Sequence, residues 1–271
     1  MSPSTPDALW ASPAVGRLRP VAVDVAGLSR RVGGVAMLDG LDLAVPAGAR
    51  VLVAGVEPDA PSLLLRIMAS LARADRGSVI LAGLHREMAS AEGWARRIGF
   101  VGSDPGLPLW MTPAESLELA ARLAGIDGPE RERQIEDTLQ RFQLGAIRDR
   151  PLRHAGRLIQ EKTALAAALL PDPEVLLLDE PLRAHAPPDR LRLLRIPGAR
   201  RTVLIASRYP AQEGGIVDRV VLIRDGKAAL HAPVSELDAR RLPLSLRGLT
   251  ALADLAIVPS GPPTLPSGPE A

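Results

Sequence analysis

The chain has 271 residues, 46% hydrophobic and 24% charged, which allows a sizeable core and excludes wholesale disorder. The formal net charge is only +2, and arginine supplies all the basic residues except Lys162 and Lys227, interleaved with acids rather than in runs, so no nucleic-acid partner is expected. Cysteine is absent, the four histidines (His85, His154, His185, His231) share no metal-ligand spacing, and no apolar stretch approaches the roughly 18 residues of a membrane span, which excludes disulfides, thiolate nucleophiles, a zinc centre and a spanning helix.

Residues 1–20 are rich in proline and serine and read as a flexible N-terminal tail. Strand patterns follow at 21–26, 41–45 and 50–54. A loop then leads to a helix expected over 62–74, where Leu64, Ile67, Met68 and Leu71 recur at the helical period. The unit is strand, loop, helix. Further strands are expected at 78–82 and 98–101. Thr112-Pro113-Ala114-Glu115 has the form of a capping box with proline at the first helical position, opening a helix through Leu123. Helices over 130–142 and 159–170 complete a helical insertion of about residues 111–170. The runs at 174–179, 201–207 and 219–224 are continuously apolar, as in parallel strands buried on both faces, and Asp225-Gly226 marks a hairpin. Residues 241–271 form a C-terminal segment ending in a second proline-rich tail from 258 onward.

The order of these pieces, and several literal stretches between Val23 and Leu237, resemble the nucleotide-binding subunit of an ATP-binding-cassette (ABC) transporter. The most specific stretch is V-L-L-L-D-E-P at Val175 to Pro181; L-D-G-L-D-L at Leu38, G-S-V at Gly77, R-I-G-F-V at Arg97 and D-R-V-V-L at Asp218 are similar to family stretches too. The resemblance implies an α/β fold with a P-loop NTPase-like parallel-sheet core, an antiparallel β subdomain and a helical subdomain, the cassette occupying residues 21–240. It also implies ATP and magnesium as ligands, with Asp179 holding the metal through water, Ser62 beside it, Gly55 at the phosphate loop and Glu180 polarising the attacking water.

The loop chemistry departs from that pattern. A phosphate loop of the form G-x-x-x-x-G-K-[ST] works because backbone N–H groups converge on the phosphates and a lysine neutralises their charge. Here the loop reads Gly55-Val56-Glu57-Pro58-Asp59-Ala60-Pro61-Ser62. Pro58 and Pro61 have no N–H, Pro61 stands in the lysine's place, and two carboxylates face the expected polyphosphate. Losing the lysine and one amide alone weakens binding by about 10²- to 10⁴-fold. Neither remaining lysine follows a glycine loop, and Arg66, one helical turn on, is expected to point away from the loop mouth.

Other family positions change likewise. The adenine-stacking aromatic is Val32, the glutamine after Phe100-Val101-Gly102 is Ser103, and the signature L-S-G-G-Q falls on Ala155-Gly156-Arg157-Leu158-Ile159. The dimer-contact aspartate is Ala186 and the switch histidine is Arg208. Only the strand carrying Asp179 and Glu180 is intact, which makes Glu180 a vestigial catalytic candidate and leaves ATP and magnesium as ligands by resemblance, or none.

In the family each ATP lies between one subunit's phosphate loop and the other's signature, so both half-sites of this chain are altered. The expected function is that of an ABC transporter subunit with lost or severely weakened ATP binding and hydrolysis, docking on a membrane permease at the inner face of the cell membrane. Its further partner is a homologous ATPase subunit or itself as a dimer. The permease contact is expected at Leu109, Trp110 and Met111, an apolar cluster before the Thr112 cap that would line a cleft with Ser103 and Leu107, unless Trp110 packs inside the helical subdomain. Two other readings stand beside it: a subunit that still binds ATP-Mg through Ser62, Asp179 and Glu180 and turns over with a partner, and a soluble regulatory scaffold.

Overall fold

The computed structural model describes residues 20–257 except 197 and 199, so the expected tails at 1–20 and 258–271 lie outside the described residues, save Pro20. Strands β1 (Val21–Val32) and β2 (Val35–Pro46) form an antiparallel hairpin, each longer than its apolar core of pattern. Gly33 and Gly34, at φ 57° and 86°, make the two-residue turn that lets Val32 pair with Val35.

Strand β3 (Arg50–Gly55) runs through a short loop into helix α1 (Ala60–Met68). The helix ends about two turns earlier than its apolar spacing predicts. Ser70 takes a left-handed φ of 63°, and the Leu71 and Ala72 amides fold back onto the Arg66 carbonyl, so Leu71 is 57% exposed instead of extending the buried stripe. β4 (Arg76–Leu81) and β5 (Leu84–His85) follow. Next comes α2 (Ala91–Arg97), which has no buried face to announce it in the sequence and is started by the Ser90 side chain accepting from the Gly93 amide at 3.0 Å.

β6 (Ile98–Val101) coincides with its apolar run. In α3 (Pro113–Leu123) the capping box closes both ways, with the Glu115 amide donating to Thr112 Oγ1 at 3.1 Å and the Thr112 amide donating to Glu115 Oε2 at 2.8 Å. α4 (Gly128–Arg141) and α5 (Arg157–Leu169) follow, and every regular element between residues 111 and 170 is helical. The rest of the described chain is β7 (Val175–Asp179), α6 (Pro187–Arg195), β8 (Thr202–Ala206), β9 (Arg219–Arg224), β10 (Lys227–Pro233), α7 (Val234–Ala239) and α8 (Leu246–Ile257).

The strands form two sheets. One has the order β2-β1-β4-β5 and is antiparallel; the other has the order β10-β9-β3-β8-β7-β6, parallel except where β10 returns along β9 through the Asp225-Gly226 turn. Successive side chains of the parallel strands enter opposite layers. Leu52, Leu176, Leu178, Val203 and Ile205 join the core beneath α3, α4, α5 and α8, whereas Val51, Val53, Val175, Leu177 and Leu204 join the core shared with α1 and the antiparallel sheet. Burial on both faces is why these strands read as unbroken apolar runs. It also fixes where polar groups can gather: the loops leaving the C-terminal ends of β3, β6, β7 and β8.

Candidate functional site

The loop after β3 is closed upon itself. The Val56 amide donates to the Ile223 carbonyl at 2.9 Å, which extends β3 along β9, and the Ala60 amide donates to the Glu57 carbonyl at 3.1 Å. A Cβ on Gly55 would lie 2.7 Å from both the Glu57 carbonyl oxygen and Pro61 Cδ, so the pyrrolidine ring of Pro61 packs over the strand end. Glycine is required there by close approach to the chain's own loop. Asp59 stands at the N-cap of α1 without capping it. Its carboxylate lies 3.6 Å from the Arg208 guanidinium instead.

Asp179 ends β7, where 6% of its surface remains exposed, and Ser62 Oγ donates to its Oδ1 at 2.6 Å. Burial, followed by the charge of Glu180, pushes the Asp179 carboxyl above the usual carboxylate range, while the Ser62 hydrogen bond and the Arg66 and Arg208 charges pull the other way. Arg66 is expected from the sequence to point away from the loop mouth, and the depression it lines contains none of the residues 55–62. That depression, of about 430 Å³, lies between the end of α1 and the loop after β6 and is lined also by Leu71, Phe100, Ser103 and Asp179, because the early stop of α1 lets the chain turn away and leaves that side open.

Glu180 is held on both oxygens. Its Oε1 accepts from the Arg208 amide at 2.6 Å, and its Oε2 pairs with the Arg183 guanidinium three residues ahead. Its own backbone is left-handed, at φ 49°. Arg183 also donates to Ser207 Oγ at 2.8 Å, lies 3.5 Å from the fully buried Glu213 and stacks over the Tyr209 ring at 5.4 Å from its centroid. Glu213 in turn receives Arg190 on both oxygens at 2.9 and 2.8 Å. This chain of ions ties the end of β7 to the start of α6 and to the segment after β8. The sequence named Arg208 only as a missing histidine and missed Arg183, Glu213 and Arg190; the i, i+3 spacing of Glu180 and Arg183 was the available signal.

These residues do not fit a magnesium-bound triphosphate. The space above Gly55 holds a proline ring, the Ala60 amide donates to the Glu57 carbonyl, and the Arg208 guanidinium lies 3.6 Å from the Asp59 carboxylate. Among the described residues no group of three or more His, Asp and Glu could hold a metal ion. At the signature position Gly156 caps α5, and Arg157 reaches the Ser103 carbonyl, Glu161 at 3.1 Å and Asp104 at 3.7 Å. Val32 is half exposed at the hairpin tip.

Leu109, Trp110 and Met111 lie together before α3. The Arg153 amide donates to the Leu109 carbonyl at 2.7 Å and the Leu152 amide to the Met111 carbonyl at 2.8 Å, which pins the segment to the turn ahead of α5. Trp110 is 63% exposed and Leu109 47%, so the alternative that Trp110 packs inside the helical subdomain is excluded.

Residues 38–183 match the ABC transporter family profile. The chain is 33% identical to the nickel import ATP-binding protein NikO of Rhodobacter capsulatus over 234 residues, covering 81% of this chain and 92% of that protein. Its fold superposes on the ATP binding subunit of an ABC transporter with a TM-score of 0.75 at 21% identity, covering 86% of this chain and 99% of the other. It also superposes on an ATP-binding cassette solved as a dimer in a post-hydrolysis state with ADP and Pi, with a TM-score of 0.68 at 19% identity over 78% of this chain and 98% of that one.

Proposed function

The chain belongs to the ABC transporter family as an ATP-binding subunit, and we propose that within that family it has lost tight ATP binding and serves as a docking partner of a membrane permease. The observation that carries this reading is the loop after β3, where Pro61 covers Gly55 and the Asp59 carboxylate faces Arg208. A polyphosphate entering there would have to displace a proline ring without gaining its N–H, break an ion pair and meet two carboxylates. The restraint of Glu180 supports the same reading for hydrolysis, because the carboxylate is turned onto Arg183 and the Arg208 amide and only 11% of the side chain remains exposed.

The docking side of the proposal rests on Leu109 and Trp110, large apolar side chains held open to solvent by a rigid backbone ladder. No described helix is long and apolar enough to cross a membrane; the proposed contact is with the permease, at the inner face of the membrane. The family context supports a second contact with another cassette, either a homologue or a second copy, as in the dimeric cassette of similar fold.

Calorimetric titration of the full chain with Mg-ATP tests the central claim. Binding no tighter than about millimolar, near 4 kcal/mol, is expected. Micromolar binding would overturn it, since the phosphates would then be held by a rearranged loop.

A further inference from the structure

We propose that the cavity between α6 and the segment after β8 binds a small apolar carboxylate, at a site separate from the loop after β3. Its volume is about 660 Å³, within the roughly 300–1,000 Å³ of small-molecule pockets. One wall comes from the start of α6. Pro187 and Pro188 open that helix with no N–H to present, and the half-buried Leu191 follows one turn on. A second wall is the 211–216 segment, where Ile216 supplies a buried aliphatic side chain and Gln212 an exposed amide. None of residues 55–62 lines the cavity.

Two arginines complete the lining, and their counter-ions stand outside it. Arg190, 5% exposed, donates to the Pro181 carbonyl at 3.0 Å, to the Gln212 carbonyl at 3.1 Å and to both oxygens of Glu213. Arg183 pairs with Glu180 and donates through Nη1 to Gln212 Oε1 at 2.5 Å. Neither Glu180 nor Glu213 is among the lining residues, and no other carboxylate is. Because the Gln212 oxygen is taken by Arg183, the part of its amide left to offer is the N–H₂, a donor. His185 also lines the cavity, its ring fixed by Nε2 lying 3.1 Å from the Leu158 carbonyl. Aliphatic walls thus meet donors with no acid among them, and the group that completes such a set is an ionised acceptor on an apolar body. The frame is set before any ligand arrives. Arg190, buried in α6, ties that helix to Gln212 and Glu213 in the other wall, so binding adds little ordering cost.

Calorimetric titration of the full chain with 2-naphthoate, and with naphthalene-2-carboxamide as its uncharged isostere, tests the proposal. The wild-type chain should bind 2-naphthoate with a Kd on the order of 10–100 μM. The carboxamide should bind about tenfold or more weakly, because its hydrogen bonds no longer involve an anion. Gln212→Glu keeps an oxygen for Arg183 and turns the N–H₂ into a second acid oxygen. It should weaken 2-naphthoate about tenfold or more without weakening the carboxamide. Leu191→Trp fills the cavity and should abolish binding of both. A wild-type chain that binds 2-naphthoate no tighter than about millimolar, or binds the carboxamide equally well, would overturn the proposal. Undiminished 2-naphthoate binding in either variant would overturn it too, by placing the ligand elsewhere. If Leu191→Trp melts early, Gln212→Glu decides alone, since it is a nearly isosteric change at an exposed residue. The result is independent of the Mg-ATP titration, because the loop after β3 contributes nothing to this lining.

Discussion

Glu180 sits at a left-handed φ of 49°, with a guanidinium on one oxygen and a backbone amide on the other. The carboxylate is 11% exposed and its arginine partner 25%, so the pair is largely removed from water. Such a group acts as a structural clamp between the end of β7 and the segment after β8. Glu180→Gln keeps an acceptor for the Arg208 amide but removes the charge facing Arg183. It should cost about 1–2 kcal/mol in urea unfolding, and leave nucleotide affinity where it was. Isolation of the E180Q variant as an ATP-bound dimer would show instead that the site is live.

At the scale of elements, the segment before α3 leaves Leu109 and Trp110 exposed. Two amides donated from residues 152 and 153 and the capping box at Thr112 hold its backbone, so the shape of the segment does not depend on where the indole goes. Trp110→Ala should accordingly shift stability by no more than about 0.5 kcal/mol. Co-purification with the permease should fall sharply, as truncating an aromatic anchor often costs about 2 kcal/mol or more. A collapsed melt with association per folded molecule preserved would move the docking surface elsewhere. The early end of α1 has its consequence on the same scale, since it is what opens the depression between Arg66, Phe100 and Ser103.

For the molecule as a whole, stability is carried by one parallel sheet buried on both faces, and β10 closes its far edge on β9. His231 lies in that edge strand opposite Val221, and burial, with the charge of Arg219 adding to it, lowers its pKa to about 4. The folded state then binds fewer protons than the unfolded chain between about pH 6.5 and 4, so this contribution is fully present above pH 6.5 and is lost as pH falls towards 4. The difference amounts to up to about 3 kcal/mol. Comparing urea midpoints at pH 7 and pH 4.5, the loss on acidification should be smaller in His231→Gln than in wild type. An equal loss in both would show that carboxylates alone set the acid limit.

What the amino-acid sequence determined by itself was whatever depends on local periodicity or on covalent identity. The runs 98–101 and 219–224 are strands with those same bounds because burial on both faces leaves no polar position to blur their edges. The capping box at Thr112 is a contact over three residues, and Pro58 and Pro61 lack an N–H wherever they are placed. Tertiary structure alone decided the rest. Residues 180 and 208 are brought together only because β7 and β8 are neighbours in the sheet, and Asp59 meets Arg208 only because β3 flanks β8 on the other side. The extent of α1 was set by a left-handed turn at Ser70, which side-chain pattern does not encode, and the exposure of Trp110 by a backbone ladder to residues some forty positions away in the chain. Local chemistry shows that the loop after β3 has no lysine and lacks the N–H groups of Pro58 and Pro61; it took the strand order to show which arginines lie beside Asp59 and Glu180.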